Sequence, residues 1–432
     1  MRHFYSFVFY LLLPLVVLRL LWRAIKAPAY AQRWAERFGF IPKVKNQPRI
    51  WLHAVSVGET LAAVPMIKQL LARYPAHQLL ITTTTPTGSE RVQALFGSEP
   101  RIEHCYAPYD LPDCLYRFLN RARPEILIVM ETELWPNTIA ACHQRGIASI
   151  VANARLSVKS ARGYQKFCAL TKPMLKSISC VAAQNSVDGE RFVELGLPES
   201  QLSVTGSIKF DLHLSELLRA EAKALKLQWS GAQQRQIWLV ASTHPGEDEQ
   251  ILEAFAAVLK AQTDALLVLV PRHPERFNSM FDLCQERGFN TERRSHSVSP
   301  HKNTQVFLGD TMGELLLFFG ACDIAFVGGS LVPVGGHNLI EPAAWALPII
   351  TGPALYNFAE VSSLLDDAGA LSIANNSDEL ASEVIALLRS PRRRATMGSA
   401  ALRVATENRG ALARLLTLID KSLSVPDSQA GS

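Results

Sequence analysis

Several short stretches of this chain set polar groups at spacings suited to chemistry. In "WLHAVSVGET" an apolar run leads into Ser56-Val57-Gly58-Glu59. That is the capping-box spacing, in which serine and glutamate satisfy two free N–H groups at a helix start. The same geometry leaves a carboxylate at a strand–helix turn, where α/β enzymes keep their reactive groups. The local residues favour the cap, and a catalytic role stays open. In "ILIVMETELWPN" Glu131 and Glu133 follow another apolar run and share one side if the backbone stays extended. Two acids at a strand tip need a reason, because an unpaired buried carboxylate is costly. Lys209 in "VTGSIKFD" could pair with one of them or reach a charged substrate, and Arg91 and Arg155 lie in further loops of this half.

The second half carries "FVGGSLVPVGGHNLIEPAAWALP". Gly335 and Gly336 permit close backbone approach, and the helix start beyond them suits an anion. Asn338, Leu339, Ile340 and Glu341 repeat the cap spacing; alternatively Glu341 accepts from both hydroxyls of a ribose. The paired glycines favour a phosphate or nucleotide loop, although the stretch is neither a Walker loop nor a clean G-x-G-x-x-G. Pro271 and Arg272 stand just past a strand end, where an arginine can meet a phosphate by paired hydrogen bonds or simply be solvated. His273 reads as orienting a loop, and Met312, Gly313 and Glu314 stand where a helix begins. The chain has no D-x-D motif, so a divalent metal has no obvious ligands. The seven cysteines are odd in number and form no C-x-x-C pair, which argues against a disulfide framework and a structural metal.

Strands must position these groups. Aliphatic runs alternate with amphipathic stretches from residue 49 onward, the signature of βαβ units and a parallel, doubly wound sheet. The first half offers strand candidates Ile50–Ala54, Leu79–Thr84, Glu103–Ala107, Glu125–Met130, Ser149–Ala152, Val181–Gln184 and Ser203–Thr205. After a polar, helical stretch the pattern restarts with Ile237–Ala241, Ala265–Val270, Gln305–Leu308, Ile324–Val327, Pro348–Ile350 and Leu371–Ala374. The division expected is an anchor over 1–30, one α/β domain over 31–210 and a second over 211–425, joined near residues 207–230. Residues 391–422 read as one or two helices and the last residues as a frayed end. Ligands of such sheets bind beyond the C-terminal strand ends, so the expected site is a cleft between the domains.

Charge is unevenly placed. Residues 1–45 carry +7, and the remaining 387 residues sum to −2. A nucleic-acid binder spreads basic groups over its folded body; here they flank the apolar segment Phe4 to Leu18. The basic residues follow that segment, which places the large C-terminal body on the cytoplasmic side of a membrane. A retained anchor, spanning or lying in the interface, fits better than a cleaved signal peptide, because Arg19, Arg23 and Lys26 precede any cleavage site.

Taken together, "KAPAYAQRWAERFGF", "HAVSVGET", "TTTTPTGSERV", "METELWPN", "ANARLS", "TGSIKFD", "STHPGEDE", "VPRHPERF", "GDTMGEL" and "GGSLVPVGGHNLIEP" resemble the bacterial Kdo transferases, in the family's order and from the anchor to near residue 420. The resemblance implies a GT-B architecture of two Rossmann-like domains. It implies transfer of 3-deoxy-D-manno-oct-2-ulosonic acid (Kdo) from CMP-Kdo to the lipid A precursor, lipid IVA, at the cytoplasmic face of the inner membrane. Inversion, and the absence of any metal or other cofactor, are implied with it. By the same resemblance Glu59 is the general base, and Glu131 and Lys209 are transition-state groups. Pro271, Arg272, Met312, Gly313, Glu314, Asn338, Leu339, Ile340 and Glu341 contact the nucleotide. A helix N-terminus should depress the pKa of Glu59, so that position matters more than basicity. Basic and apolar groups in Trp34–Phe40 are expected to hold the acceptor at the bilayer surface. The rivals are a GT-B enzyme using a UDP-sugar and a membrane-tethered binding scaffold.

Overall fold

The aliphatic runs become the strands of two seven-stranded sheets in the computed structural model, which describes residues 1–43, 47–232 and 234–424. The first sheet holds β1 (Arg49–His53), β2 (Gln78–Thr83), β3 (Ile102–Tyr106), β4 (Ile126–Met130), β5 (Ala148–Ala154), β6 (Cys180–Ala183) and β7 (Leu202–Val204). Its order is β3-β2-β1-β4-β5-β6-β7, with every pairing parallel. The winding reverses between β1 and β4, so the loops after those two strands flank the crevice where such sheets take ligands. Both faces are covered. Ile50 and Leu52 pack with Met66, Ile67 and Leu70 on one side, and Trp51, Leu127 and Val129 with Phe118 and Leu119 on the other.

The second sheet holds β8 (Ile237–Thr243), β9 (Leu266–Pro271), β10 (Thr291–Arg293), β11 (Val306–Leu308), β12 (Ile324–Val327), β13 (Ile349–Thr351) and β14 (Leu371–Ile373). Its order, β10-β11-β9-β8-β12-β13-β14, reverses between β8 and β12. The edge strand β10 was not expected: three residues, two of them charged, carry no aliphatic signal.

Among the described residues the chain divides into a unit of residues 1–211 with 409–424 and a unit of residues 212–408. This corrects the expected second domain at its C-terminal end. The helix Ala411–Leu423 buries Ala411, Leu415, Leu416 and Ile419 in the core of the first unit. Asp211 fixes it there by accepting from the N–H groups of Gly410 and Leu412, each at 2.6 Å. The polar stretch expected to join the domains is also structural: in the helix Glu216–Ser230, Trp229 packs on Phe307 and Phe318 of the second unit. The frayed end expected at the C-terminus lies, from residue 425, outside the described residues.

The N-terminal helix Arg2–Lys26 continues through Pro14, and its stretch Arg2–Ile25 is long and apolar enough to cross a membrane, with a mean hydropathy of 2.1 over an 18-residue window. Phe4, Phe7, Leu11, Leu15, Leu18 and Trp22 recur at intervals of three and four and are all exposed. The first turns are tied to the body. Asn137 Nδ2 donates to Ser6 Oγ at 2.9 Å, and the Tyr10 hydroxyl to Asp113 at 2.5 Å.

Candidate functional site

In the first unit, β1 ends at His53 and the helix Val57–Arg73 begins after Ser56. Ser56 is the N-cap, its Oγ accepting from the Glu59 N–H at 3.2 Å. The return half of the capping box is displaced by one residue: Glu59 Oε2 accepts from the N–H of Val55 at 2.8 Å. The Ser56 hydroxyl donates to Glu59 Oε1 at 2.9 Å. Glu59 is therefore a cap in fact, held rigidly at the crevice beside β4. Its carboxyl is almost wholly buried, and burial raises its pKa to about 7. The two hydrogen bonds oppose that shift, and the charges of Glu131 and Glu133 add to it. The depression expected at the helix terminus is overturned: desolvation outweighs the hydrogen bonds made there.

Glu131 and Glu133 follow β4 in a turn and not in an extended run, since Glu131 takes a left-handed backbone with φ 55°. That corrects their expected alternation. Burial pushes the Glu133 carboxyl upward, with Glu131 adding to the rise. Lys209 sits half-buried in the one-turn helix Ile208–Phe210 that follows β7. Asn153, fully buried at the end of β5 with φ 54°, accepts from the Ile208 N–H at 3.1 Å and so sets that turn. Nothing in the local sequence marks Asn153, because its bond spans 55 residues. Arg37, the base of Trp34–Phe40 expected near the acceptor, is spent inside the body, and so is its neighbour Arg33. Arg33 donates to Ser89 Oγ and the His104 carbonyl and pairs with Glu36. Arg37 is buried against the Tyr106 ring and donates to the Thr84 carbonyl.

In the second unit, Pro271 is the last residue of β9 and Arg272 stands exposed beyond it. Arg272 is close enough to Glu341, His244 and His337 for its charge to lower the pKa of each. Glu341 accepts from Asn338 Nδ2 at 3.0 Å, while burial raises its carboxyl. Asn338 Oδ1 also accepts from the Ile340 N–H at 3.1 Å. Leu339 and Ile340 are fully buried, so their side chains serve the core. Met312 and Gly313 are exposed after β11, the neighbour of β9 in the sheet. Glu314 is committed to Arg294 at 2.7 Å and to Thr311, contacts that hold its pKa down.

The glycine loop differs from expectation in what holds it. The N–H groups of Gly335 and Gly336 both donate to the Gly329 carbonyl, at 3.0 and 2.7 Å, so these donors shape the loop and do not meet an anion. Their φ values of 106° and 77° require glycine. The organising group is one that sequence reasoning passed over. Glu247, fully buried after β8, accepts from the N–H groups of His244 and Gly329 through Oε2 and from those of Ser330 and Leu331 through Oε1, all within 2.9 Å. Each sheet thus places a glutamate just after its first strand, Glu59 after β1 and Glu247 after β8. Glu247 has its oxygens filled by four main-chain donors. Above the loop, His244 Nε2 and His337 Nε2 are 2.8 Å apart, which requires one neutral donor and one neutral acceptor ring or a single shared proton. Burial first, then neighbouring cationic groups, lowers His337 to about 4.

These two units match known proteins in sequence and in fold. Residues 32–212 match the family described as 3-deoxy-D-manno-octulosonic-acid transferase (kdotransferase), and residues 243–404 match glycosyl transferases group 1. The chain is 46% identical to the 3-deoxy-D-manno-octulosonic acid transferase of Haemophilus influenzae over 421 residues, 97% of this chain and 98% of that protein. It is 36% identical to the Bordetella pertussis protein of the same name, covering 86% of each. Among solved structures, UDP-GlcNAc 2-epimerase from Neisseria meningitidis aligns with a TM-score of 0.58 over 86% of this chain and all of that one. At 14% identity that likeness speaks for the GT-B fold alone. With both sheets, their crevice loops and near full-length identity in agreement, the chain is a glycosyltransferase and belongs to the 3-deoxy-D-manno-octulosonic acid transferase family.

Proposed function

We propose that this chain moves Kdo from CMP-Kdo to a hydroxyl of the lipid A precursor lipid IVA, with Glu59 as the general base. The acceptor oxygen forms a bond to the anomeric carbon of Kdo, the bond from that carbon to the CMP oxygen breaks, and the acceptor proton passes to the Glu59 carboxylate. The observation that carries this is the Glu59 carboxylate, fixed at the crevice by the Val55 N–H and the Ser56 hydroxyl. Its pKa near 7 suits a base that must be ionised yet still able to take a proton. Glu131 is assigned to the positive charge that grows on the sugar ring, and Lys209 to negative charge on the donor. The second unit supplies the nucleotide's groups: Pro271 and Arg272 after β9, Met312, Gly313 and Glu314 after β11, and the main chain and Glu341 of residues 338–341. In this reading CMP-Kdo is a substrate and no metal or other cofactor takes part. The N-terminal helix keeps the protein at the inner membrane, on its cytoplasmic side, where a lipid acceptor is concentrated.

Glu59→Gln tests the assignment. It should cut transfer by roughly 10²–10⁴-fold, while CMP still raises the thermal midpoint as it does in the wild type. Undiminished turnover would remove Glu59 from the chemistry. Stabilisation by UDP and not by CMP would turn the donor assignment toward a UDP-sugar.

A further inference from the structure

An apolar groove of about 550 Å³ opens on the first unit, between the start of the N-terminal helix and the helices Val158–Lys166 and Cys168–Lys176. Tyr5, Trp135, Gly163, Tyr164, Phe167 and Met174 line it. Its volume lies within the range of about 300–1,000 Å³ usual for small-ligand pockets. The polar groups of the lining are already engaged. The Tyr164 hydroxyl donates to the Thr132 carbonyl at 3.1 Å, Thr171 Oγ1 donates to the Tyr164 carbonyl at 2.9 Å, and the Trp135 indole bonds the Glu133 carboxyl. What remains is a surface for hydrocarbon. Tyr5 in the lining belongs to the helix whose exposed stripe is apolar, and Tyr164 ties the lining to the turn that carries Glu131 and Glu133 through its bond to Thr132.

Beyond that acidic turn the chain is basic. From Leu134 to Val187 the chain has seven bases, Arg145, Arg155, Lys159, Arg162, Lys166, Lys172 and Lys176, and no acid. Lys159, Arg162 and Lys166 are exposed on the helix beside the groove, next to Phe167, itself 65% exposed. Arg33 and Arg37, by contrast, are consumed by internal contacts. We infer that the groove seats one acyl chain of the phosphorylated lipid acceptor, with Lys159, Arg162 and Lys166 meeting its phosphate, an assignment that rests on the lipid-acceptor reading above. An acyl chain in the groove leads its sugar head toward the acidic turn after β4, and a phosphate on that head finds only bases along the neighbouring helix.

Gly163 gives the test. It lies within a helix and lines the groove, and a Cβ added there meets nothing within 4 Å. Gly163→Leu therefore adds apolar bulk to the lining at a position with room for its Cβ, and improves helix propensity. Wild type and variant, full length in nanodiscs, are irradiated with acceptor bearing a diazirine on one acyl chain. Label is expected on peptides spanning residues 160–174 in the wild type and is lost in Gly163→Leu. The variant's KM for the acylated acceptor should rise about tenfold, as expected when one or two methylenes lose burial. Its KM for the deacylated, phosphorylated disaccharide and its thermal shift with CMP should stay as in the wild type. Label elsewhere, equal labelling by a diazirine phospholipid, or an unchanged KM overturns the groove assignment while leaving transfer intact. Failure of the wild type to glycosylate either acceptor overturns the reading beneath it.

Discussion

A base that is both buried and charged works near its own pKa, and that is the position of Glu59. Burial raises it to about 7, the Val55 and Ser56 bonds pull it back, and Glu131 and Glu133 push it up. Only the ionised form can accept the acceptor's proton. The value kcat/KM should therefore fall about tenfold per pH unit below pH 7 and level off above it. Two substitutions should move that limb in opposite directions. Glu133→Gln removes a like charge, which favours the carboxylate and shifts the limb to lower pH. Ser56→Ala removes a hydrogen bond to the carboxylate and shifts it to higher pH. Rate profiles of the three proteins between pH 5.5 and 8.5 on the order of half-unit steps would show both displacements. Profiles that coincide would mean that another group titrates.

At the scale of elements, the loops are held by carboxylates bonded to main chain, and these bonds make their own predictions. Ser56→Ala also removes the N-cap of the helix Val57–Arg73, which should cost about 0.5–2 kcal/mol in denaturant unfolding. Glu247→Gln is the more severe change. A glutamine must turn its NH₂ toward two of the four N–H groups that Glu247 now satisfies, leaving two buried donors unpaired at about 1–3 kcal/mol each. The second unit should lose stability and CMP affinity together. An unchanged unfolding midpoint would mean that the glycine loop holds itself. The contrast between these two glutamates shows what the sequence makes legible. Strands such as β4 and β9, buried on both faces, read as unbroken aliphatic runs, and every strand but β10 coincides with a stretch legible as a strand. The Ser56–Glu59 cap is local and legible too. Glu247 is not, because three of its partners lie 82–84 residues further on. Nor is the burial that sets the Glu59 pKa, since it arises from the assembled crevice and not from neighbours in the chain.

At the scale of the whole molecule, the chain's last described helix belongs to the unit it left some two hundred residues earlier. An amphipathic pattern shows that Ala411–Leu423 buries one face, but not against which partner, and sequence order alone assigns it to the wrong domain. The helix packs on β5 and on the helix Val57–Arg73, and Asp420 pairs with Arg73 and Tyr74 at the far end of that helix. It thus braces the element whose first turn carries Glu59. Leu415 is fully buried there, and Leu415→Ala should cost about 2–5 kcal/mol. That loss should fall on one unit only. Hydrogen exchange should quicken in peptides from residues 57–73 and 148–154, while residues 237–271 keep their protection and CMP keeps its affinity. Were the helix a member of the second unit, the pattern would invert, with faster exchange in β8 and β9 and weaker CMP binding. A loss of transfer accompanied by intact nucleotide binding would trace the defect through the braced helix to the carboxylate at its start.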